Sequence, residues 1–305
     1  MILRMVWKRV EPSGARRVVA NLLGDQYTVR EHRVAEPMLI LQDPSMVEVS
    51  GYKEGTLFSL GPRPWRQYCR WHNGPLDRPD RVLDRIYCNL EAEGYCRYHK
   101  RSERALYEIC LTMKGRIGLE ACRQIDRAVR AEYAVYMTDF GGHKPKVGVT
   151  RRFRLLERIA EQTHITATLL AVTESAYEAR LAETRLSSSG IAQETHKRSL
   201  PYSRGLGESA ARLAYWAERA SKLLGESWSG DIIRIVPPWE GRPRTVKPEA
   251  LEGHRLVFSS YWGGLIYAMR GDEPVLIPSR PLQHRDVIAL GEAGQGREYG
   301  SKPGF

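Results

Sequence analysis

The chain has no run approaching the roughly 18 consecutive apolar residues of a membrane-crossing helix, so no membrane partner is expected. It begins Met1-Ile2-Leu3-Arg4 and turns charged at once, unlike a secretory leader, which leads us to expect a cytoplasmic protein. There is no phosphate loop, no dinucleotide-binding glycine fingerprint and no nucleophile elbow. The corresponding nucleotide-dependent and serine-hydrolase readings lose their usual support, and no small-molecule cofactor is expected. Cysteine is scarce, with five residues in 305. An odd number without an export signal argues against structural disulfides and leaves metal binding or simple burial. Lysine is scarce too, since 37 of the 47 basic residues are arginine.

What is present is positive charge. A net charge of +11 favours a polyanionic partner, most simply DNA or RNA. Arginine grips phosphate with a planar two-bond fork. Genomic base composition or adaptation to heat accounts for the arginine bias equally well, but less well for the net charge. The hydrophobic fraction of 42% is ample for packed cores, and the length allows two or more domains. Nothing fixes the oligomeric state.

All five cysteines fall between residues 63 and 130. Cys69 and His72 are separated by two residues, and so are Cys96 and His99. Two such pairs can close a tetrahedral zinc site, with Cys88 able to replace one of the histidines. The candidate ligands are therefore Cys69, Cys88, Cys96 and His99, with His72 as the alternative. Buried thiols beside surface histidines are the plainer reading. Cys110 and Cys122 lie in stretches of helical spacing, Ala105 to Met113 and Leu119 to Val129, and read as core. The same region interleaves cations with rings. Arg66, Arg70, Trp71, Arg97, Tyr98, Lys100 and Arg101, joined later by Arg151, Arg152 and Arg154, are candidate nucleic-acid contacts, because cations track phosphates and rings stack on unpaired bases. The alternative is a packed knuckle whose rings fill a small core.

The flanks read as β structure. Residues 1–62 contain strand-like runs at Val18-Val19, Tyr27 to Val29, Met38 to Leu41 and Met46 to Val49, with turns at Pro12-Ser13-Gly14, Gly24-Asp25 and Asp43-Pro44. They suggest a small barrel or sandwich. Residues 191–229 hold one amphipathic helix from Gly207 to Gly225. Residues 230–305 return to strands at Ile232 to Val236, Arg255 to Phe258, Gly264 to Met269 and Val275 to Ile277, with a frayed tail from Glu292.

Residues 131–190 give the pattern strand, turn, strand, helix, strand, helix. Ala134-Val135-Tyr136 leads through Gly141-Gly142 to Lys146-Val147-Gly148. Glu157-Arg158-Ile159 follows, then Ile165 to Val172, then Glu178-Ala179 through Glu183. This order resembles a divergent GIY-YIG nuclease core, with Ala134 in place of the first glycine and Lys146 in place of the second tyrosine. The complete arrangement, a cysteine-bearing segment upstream of such a core, resembles a prokaryotic family of unknown function. The resemblance implies an α+β fold: a small three-stranded sheet with helices, flanked by β-rich parts and a Cys/His knuckle.

It also implies a site made by Tyr136, Lys146, Arg158 and Glu183. Glu183 would hold Mg²⁺ or Mn²⁺, Arg158 would neutralise charge at phosphorus, and Tyr136 would orient water, with Lys146 lowering its pKa or holding a phosphate. Two readings follow. One is a metal-dependent endonuclease, the other a non-catalytic protein that binds RNA, DNA or a ribonucleoprotein. Convergence of Tyr136, Arg158 and Glu183 in one cleft separates them.

Overall fold

The computed structural model describes residues 1–194 and 205–291, and the backbone of 297–299. The chain opens with two long strands, β1 (Ile2–Ala20) and β2 (Gln26–Gln42), paired as one antiparallel ribbon. Its turn is held by Asn21, whose Oδ1 accepts the N–H groups of Leu23 and Asp25. The expected turn at Pro12-Ser13-Gly14 is instead an irregularity inside β1, where the register slips between Pro12 and Arg16. β1 advances four residues there while β2 advances two, and extra residues in one strand bend a ribbon without ending it. Met46 to Val49 is not a strand. Asp43 accepts from Ser45 and Met46 in a turn, and the next strands are β3 (Ser50–Lys53) and β4 (Leu57–Leu60).

Residues 63–102 have little regular structure. Two helices then pack as a hairpin, α1 (Glu103–Thr112) and α2 (Gly115–Ala128). Ser102 caps α1 by accepting from the N–H of Ala105. The structure joins Cys110 to Cys122 by a disulfide, which corrects the expectation of thiols throughout. The hairpin turn between the helices leaves their Cα atoms 4.7 Å apart, well within bridging range.

The centre follows in the expected order: β5 (Tyr133–Asp139), β6 (Lys146–Arg151), α3 (Leu155–Ala160), β7 (Thr166–Thr173) and α4 (Ala176–Ser188). Then come α5 (Leu206–Leu224) and β8 (Ile232–Val236). Six short strands complete the chain: β9 (Arg244–Thr245), β10 (Leu256–Trp262), β11 (Leu265–Arg270), β12 (Glu273–Pro278), β13 (Ile288–Leu290) and β14 (Arg297–Tyr299). The last is an edge strand paired with β3. The tail's other residues, 292–296 and 300–305, lie outside the described residues.

The fold is α+β with two mixed sheets. The three expected strands stand side by side as β7–β5–β6, and β7 continues the sheet through β8 into the β2–β1 ribbon and β3. The N-terminal strands therefore do not close a barrel of their own. The second sheet takes β4 from the front of the chain and β9 to β13 from the back. It packs on the ribbon through Leu3, Val6, Leu39 and Leu41 against Phe258, Ile266 and Ile277.

The central strand β5 is buried on both faces, and its alternation sorts its neighbours. Tyr133, Val135 and Met137 face α2, α4 and α5. Ala134 and Tyr136 face α3 together with Trp239 and Trp262. Among the described residues no helix is long and apolar enough to cross a membrane.

Candidate metal centre and tyrosine pocket

Three cysteines and one histidine meet in the irregular segment. The ligand atoms of Cys69, Cys88, Cys96 and His99 all lie within 4.8 Å of one another. Cys88 Sγ is 3.9 Å from Cys96 Sγ. His99 Nδ1 is 3.3 Å from Cys96 Sγ and 3.7 Å from Cys69 Sγ. The local chain explains the grouping. The carbonyl of Cys96 accepts from the N–H groups of His99 and Lys100, a tight turn that brings His99 back over Cys96. The N–H of Cys96 donates to Cys69 Sγ, and that of Cys88 to the carbonyl of Trp71. Burial pushes the Cys88 thiol up to about 12. Such a donor set can hold a metal ion, and among the described residues it is the one group of three or more metal-type ligands.

His72 is not part of it. Its Nδ1 accepts from the N–H of Gly74, its ring leans on Tyr87, and burial beside Arg104 and Arg85 holds it far below the ordinary imidazole range. The two-residue spacing is real for both pairs, but the chain after Cys69 runs extended and bridges Tyr87, whereas the chain after Cys96 turns. Cys88 takes the fourth place.

The candidate nucleic-acid contacts divide. Trp71 stacks parallel on His99 at 4.2 Å, so its face serves the cluster. Arg66 pairs with Glu91 and Asp286, and Arg70 with Glu108. Arg151 is buried, donates to the carbonyls of Pro75 and Leu76 and lies over Tyr107, so it is no phosphate contact. Arg154 is engaged by Glu161. Arg97, Tyr98, Lys100, Arg101 and Arg152 remain exposed. Tyr98 is 64% exposed, with Arg97 across its ring, and among the described residues none of these four cations has a carboxylate partner.

The residues expected to form a nuclease site are only partly brought together. Tyr136 is buried and its hydroxyl accepts from Gln162 Nε2 at 2.5 Å. Gln162 also accepts from Lys146 Nζ at 2.8 Å, so one amide links both motif positions. Gly148 lies opposite Tyr136 across the two strands, and a Cβ there would stand 2.7 Å from the ring. Burial raises the Tyr136 pKa, and Arg158 and Gln162 oppose this without reversing it, so the phenol is no base at neutral pH.

Arg158 reaches the same pocket, but its guanidinium donates to Glu161 at 2.7 Å. Glu161 also receives Arg154 at 3.2 Å and the buried Lys8 at 3.3 Å. Burial alone would raise the Glu161 carboxyl; Lys8, Arg154 and Arg158 together hold it well below the usual range. Glu183 is elsewhere. It is buried on α4, whose core face packs with Val135, Met137 and Val147 on the opposite side of the sheet from Tyr136, and it is paired with Arg180. A guanidinium stands where Mg²⁺ or Mn²⁺ was expected, and among the described residues Glu183 belongs to no group of three or more metal-type ligands. Glu178 is exposed at the start of α4.

Glu161 was within reach of sequence reading, because it stands three and seven residues after Arg158 and Arg154, on one helix face. Gln162 and Lys8 carry no sequence signal that ties them to Tyr136.

No protein-family model matches the chain, and no solved structure matches it. A homoserine kinase from Halalkalibacterium halodurans is 31% identical over 90 residues. The match covers 28% of this chain and 28% of that enzyme.

Proposed function

We propose that this chain is a non-catalytic nucleic-acid-binding protein, with a zinc-closed Cys/His knuckle mounted on a GIY-YIG-like core. The observation that carries the reading is the ridge of Arg97, Tyr98, Lys100 and Arg101. It projects from the same turn that supplies Cys96 and His99, exposed and, among the described residues, without carboxylate partners. Exposed cations interleaved with an exposed ring suit single-stranded nucleic acid, where phosphates meet cations and an unstacked base meets the ring. The overall charge of +11 supports the same class of partner.

Zinc fits the donor set. Zn–S bonds near 2.3 Å put neighbouring tetrahedral ligands about 3.8 Å apart, close to the 3.3–3.9 Å of the Cys69–His99, Cys88–Cys96 and Cys96–His99 pairs, in a set that lies wholly within 4.8 Å. Three sulfurs and one imidazole with no open position suit a structural ion rather than a catalytic one. Bound zinc would stabilise the three thiolates and tie together segments 27 residues apart in the chain, from Cys69 to Cys96.

The GIY-YIG likeness draws support from the element order and from the Tyr136–Gly148 cross-strand pair. The nuclease reading draws less, because Glu183 and Tyr136 serve opposite faces and Glu161 occupies the cations of the pocket. The matching kinase fragment is too short a share of either chain to suggest phosphoryl transfer here.

The test is anisotropy titration with labelled single-stranded RNA, single-stranded DNA and duplex over a range of salt. We expect single strands to bind better than duplex, with affinity falling linearly in log salt. Absence of binding to all three at low salt would contradict the proposal.

A further inference from the structure

Arg4 is a buried cation with no carboxylate partner among the described residues. It lies on β1, 1% exposed, and its whole fork is used. Nη1 donates to the carbonyl of Cys69 at 2.8 Å, Nη2 to the carbonyl of Cys88 at 2.6 Å, and Nε to Gln42 Oε1 at 2.6 Å. Gln42 is itself fixed by donating to the carbonyls of Met46 and Tyr87. The guanidinium lies over Tyr87 at 5.2 Å and Tyr68 at 6.0 Å. These partners satisfy its donors, yet every one of them is neutral. Two other buried cations have an anion, Lys8 with Glu161 and Arg180 with Glu183, whereas Arg151, like Arg4, donates to carbonyls, but those of Pro75 and Leu76, away from the cluster ligands. A buried charge without an opposite charge is unfavourable, because the burial removes it from water and nothing of opposite sign compensates.

The two carbonyls that Arg4 grips belong to two of the four cluster residues. Three thiolates, a neutral imidazole and a divalent ion sum to a net charge of −1. A monovalent soft ion would leave −2, and a trivalent ion would leave zero. We infer that Arg4 is the counter-ion of the loaded cluster. Its fork positions the chain at Cys69 and Cys88, and its single charge matches the site to divalent ions. The inference rests on the metal reading above. It also links the knuckle to the main sheet, because Arg4 stands on a strand of the ribbon while the ligands come from the irregular segment.

The test separates charge from hydrogen bonding. Arg4→Lys keeps the charge and loses the fork. Arg4→Gln keeps an amide donor and loses the charge. Zn²⁺ and Co²⁺ affinities of the full chain are measured by chelator competition, with the thiolate-to-cobalt absorption band reporting that the ligands are unchanged. Arg4→Gln is expected to weaken both ions about 10–100-fold, the range for a supporting residue behind a metal ligand. Arg4→Lys is expected to stay within about threefold of wild type, since it retains the charge. Equal losses in the two variants would overturn the counter-ion role, as would wild-type affinity in Arg4→Gln. If Arg4→Gln does not fold even with metal, Arg4→Lys decides: retention of affinity supports the inference and a tenfold loss overturns it. A wild-type chain that binds neither ion overturns the metal reading and the inference together.

Discussion

The Cys/His cluster and the tyrosine pocket are both polar clusters in a basic protein, and they use their charges in opposite ways. In the pocket, Lys8, Arg154 and Arg158 converge on Glu161 and are consumed by it. The result is a closed internal account, with a phenol that burial keeps protonated. In the knuckle, the ligand side chains face one another, and among the described residues neither the nearby Arg4 nor the cations of the outer turn have a carboxylate partner. Unspent charge is what a ligand can use. On the function proposed above, binding falls to the knuckle and a structural role to the pocket.

Metal removal should break the comparison most severely. Cys96→Ser removes one ligand and the sulfur nearest to both Cys88 and His99. It should lower stability by about 4 kcal/mol or more, since loss of a structural metal is among the largest single-residue effects. Denaturant unfolding of the metal-loaded chain checks this, and a chelator should give the same loss in wild type. Acid should act in the same direction, because protons compete with the metal for the thiolates.

Glu161→Gln should come next. It leaves the buried Lys8 without its anion and should cost about 3 kcal/mol. The pH dependence has a definite sign. The folded-state pKa of Glu161 is depressed below its ordinary 4.5, so its contribution is complete above that value and is lost as the pH falls below it toward the folded-state pKa. Stability against pH should accordingly flatten on the acid side in Glu161→Gln. An unchanged acid limb would show that the three cations do not hold Glu161 as the geometry indicates.

Smaller effects sharpen the contrast inside the pocket. Gly148→Ala drives a Cβ into the Tyr136 ring and should cost about 1–3 kcal/mol. Tyr136→Phe removes one hydrogen bond to Gln162 and should cost about 1 kcal/mol. Neither should change nucleic-acid affinity. Both are read from denaturation midpoints beside a binding titration.

The order of elements around the centre was legible in the sequence because β-branched alternation and helical spacing are local signals. Helices at Ala105 to Met113, Leu119 to Val129 and Gly207 to Gly225 appear within a few residues of those bounds. What was not legible is long-range. A single ribbon of Ile2 to Gln42 joins the central sheet through β8, some 200 residues later. Sequence spacing shows strands but not which strand they pair with. The cluster followed the same rule. Cys69, Cys88, Cys96 and His99 were legible as a set, but the exclusion of His72 depends on the chain turning after Cys96 and not after Cys69. Glu183 matched its motif position, yet its helix packs on the face away from Tyr136, and the periodicity of α4 alone gives no sheet face.

The most direct measurement is the binding of a labelled single strand by wild type and by a triple variant, Arg97→Ala with Lys100→Ala and Arg101→Ala, each metal-loaded, across salt concentration. The side chains are exposed, so folding should be unaffected. The account predicts weaker binding by about 10–100-fold at low salt and a log–log salt slope shallower by about 2, since each lost phosphate contact removes about 0.7 for a single strand. An unchanged affinity and slope would contradict it and place the nucleic-acid grip, if there is one, on another face.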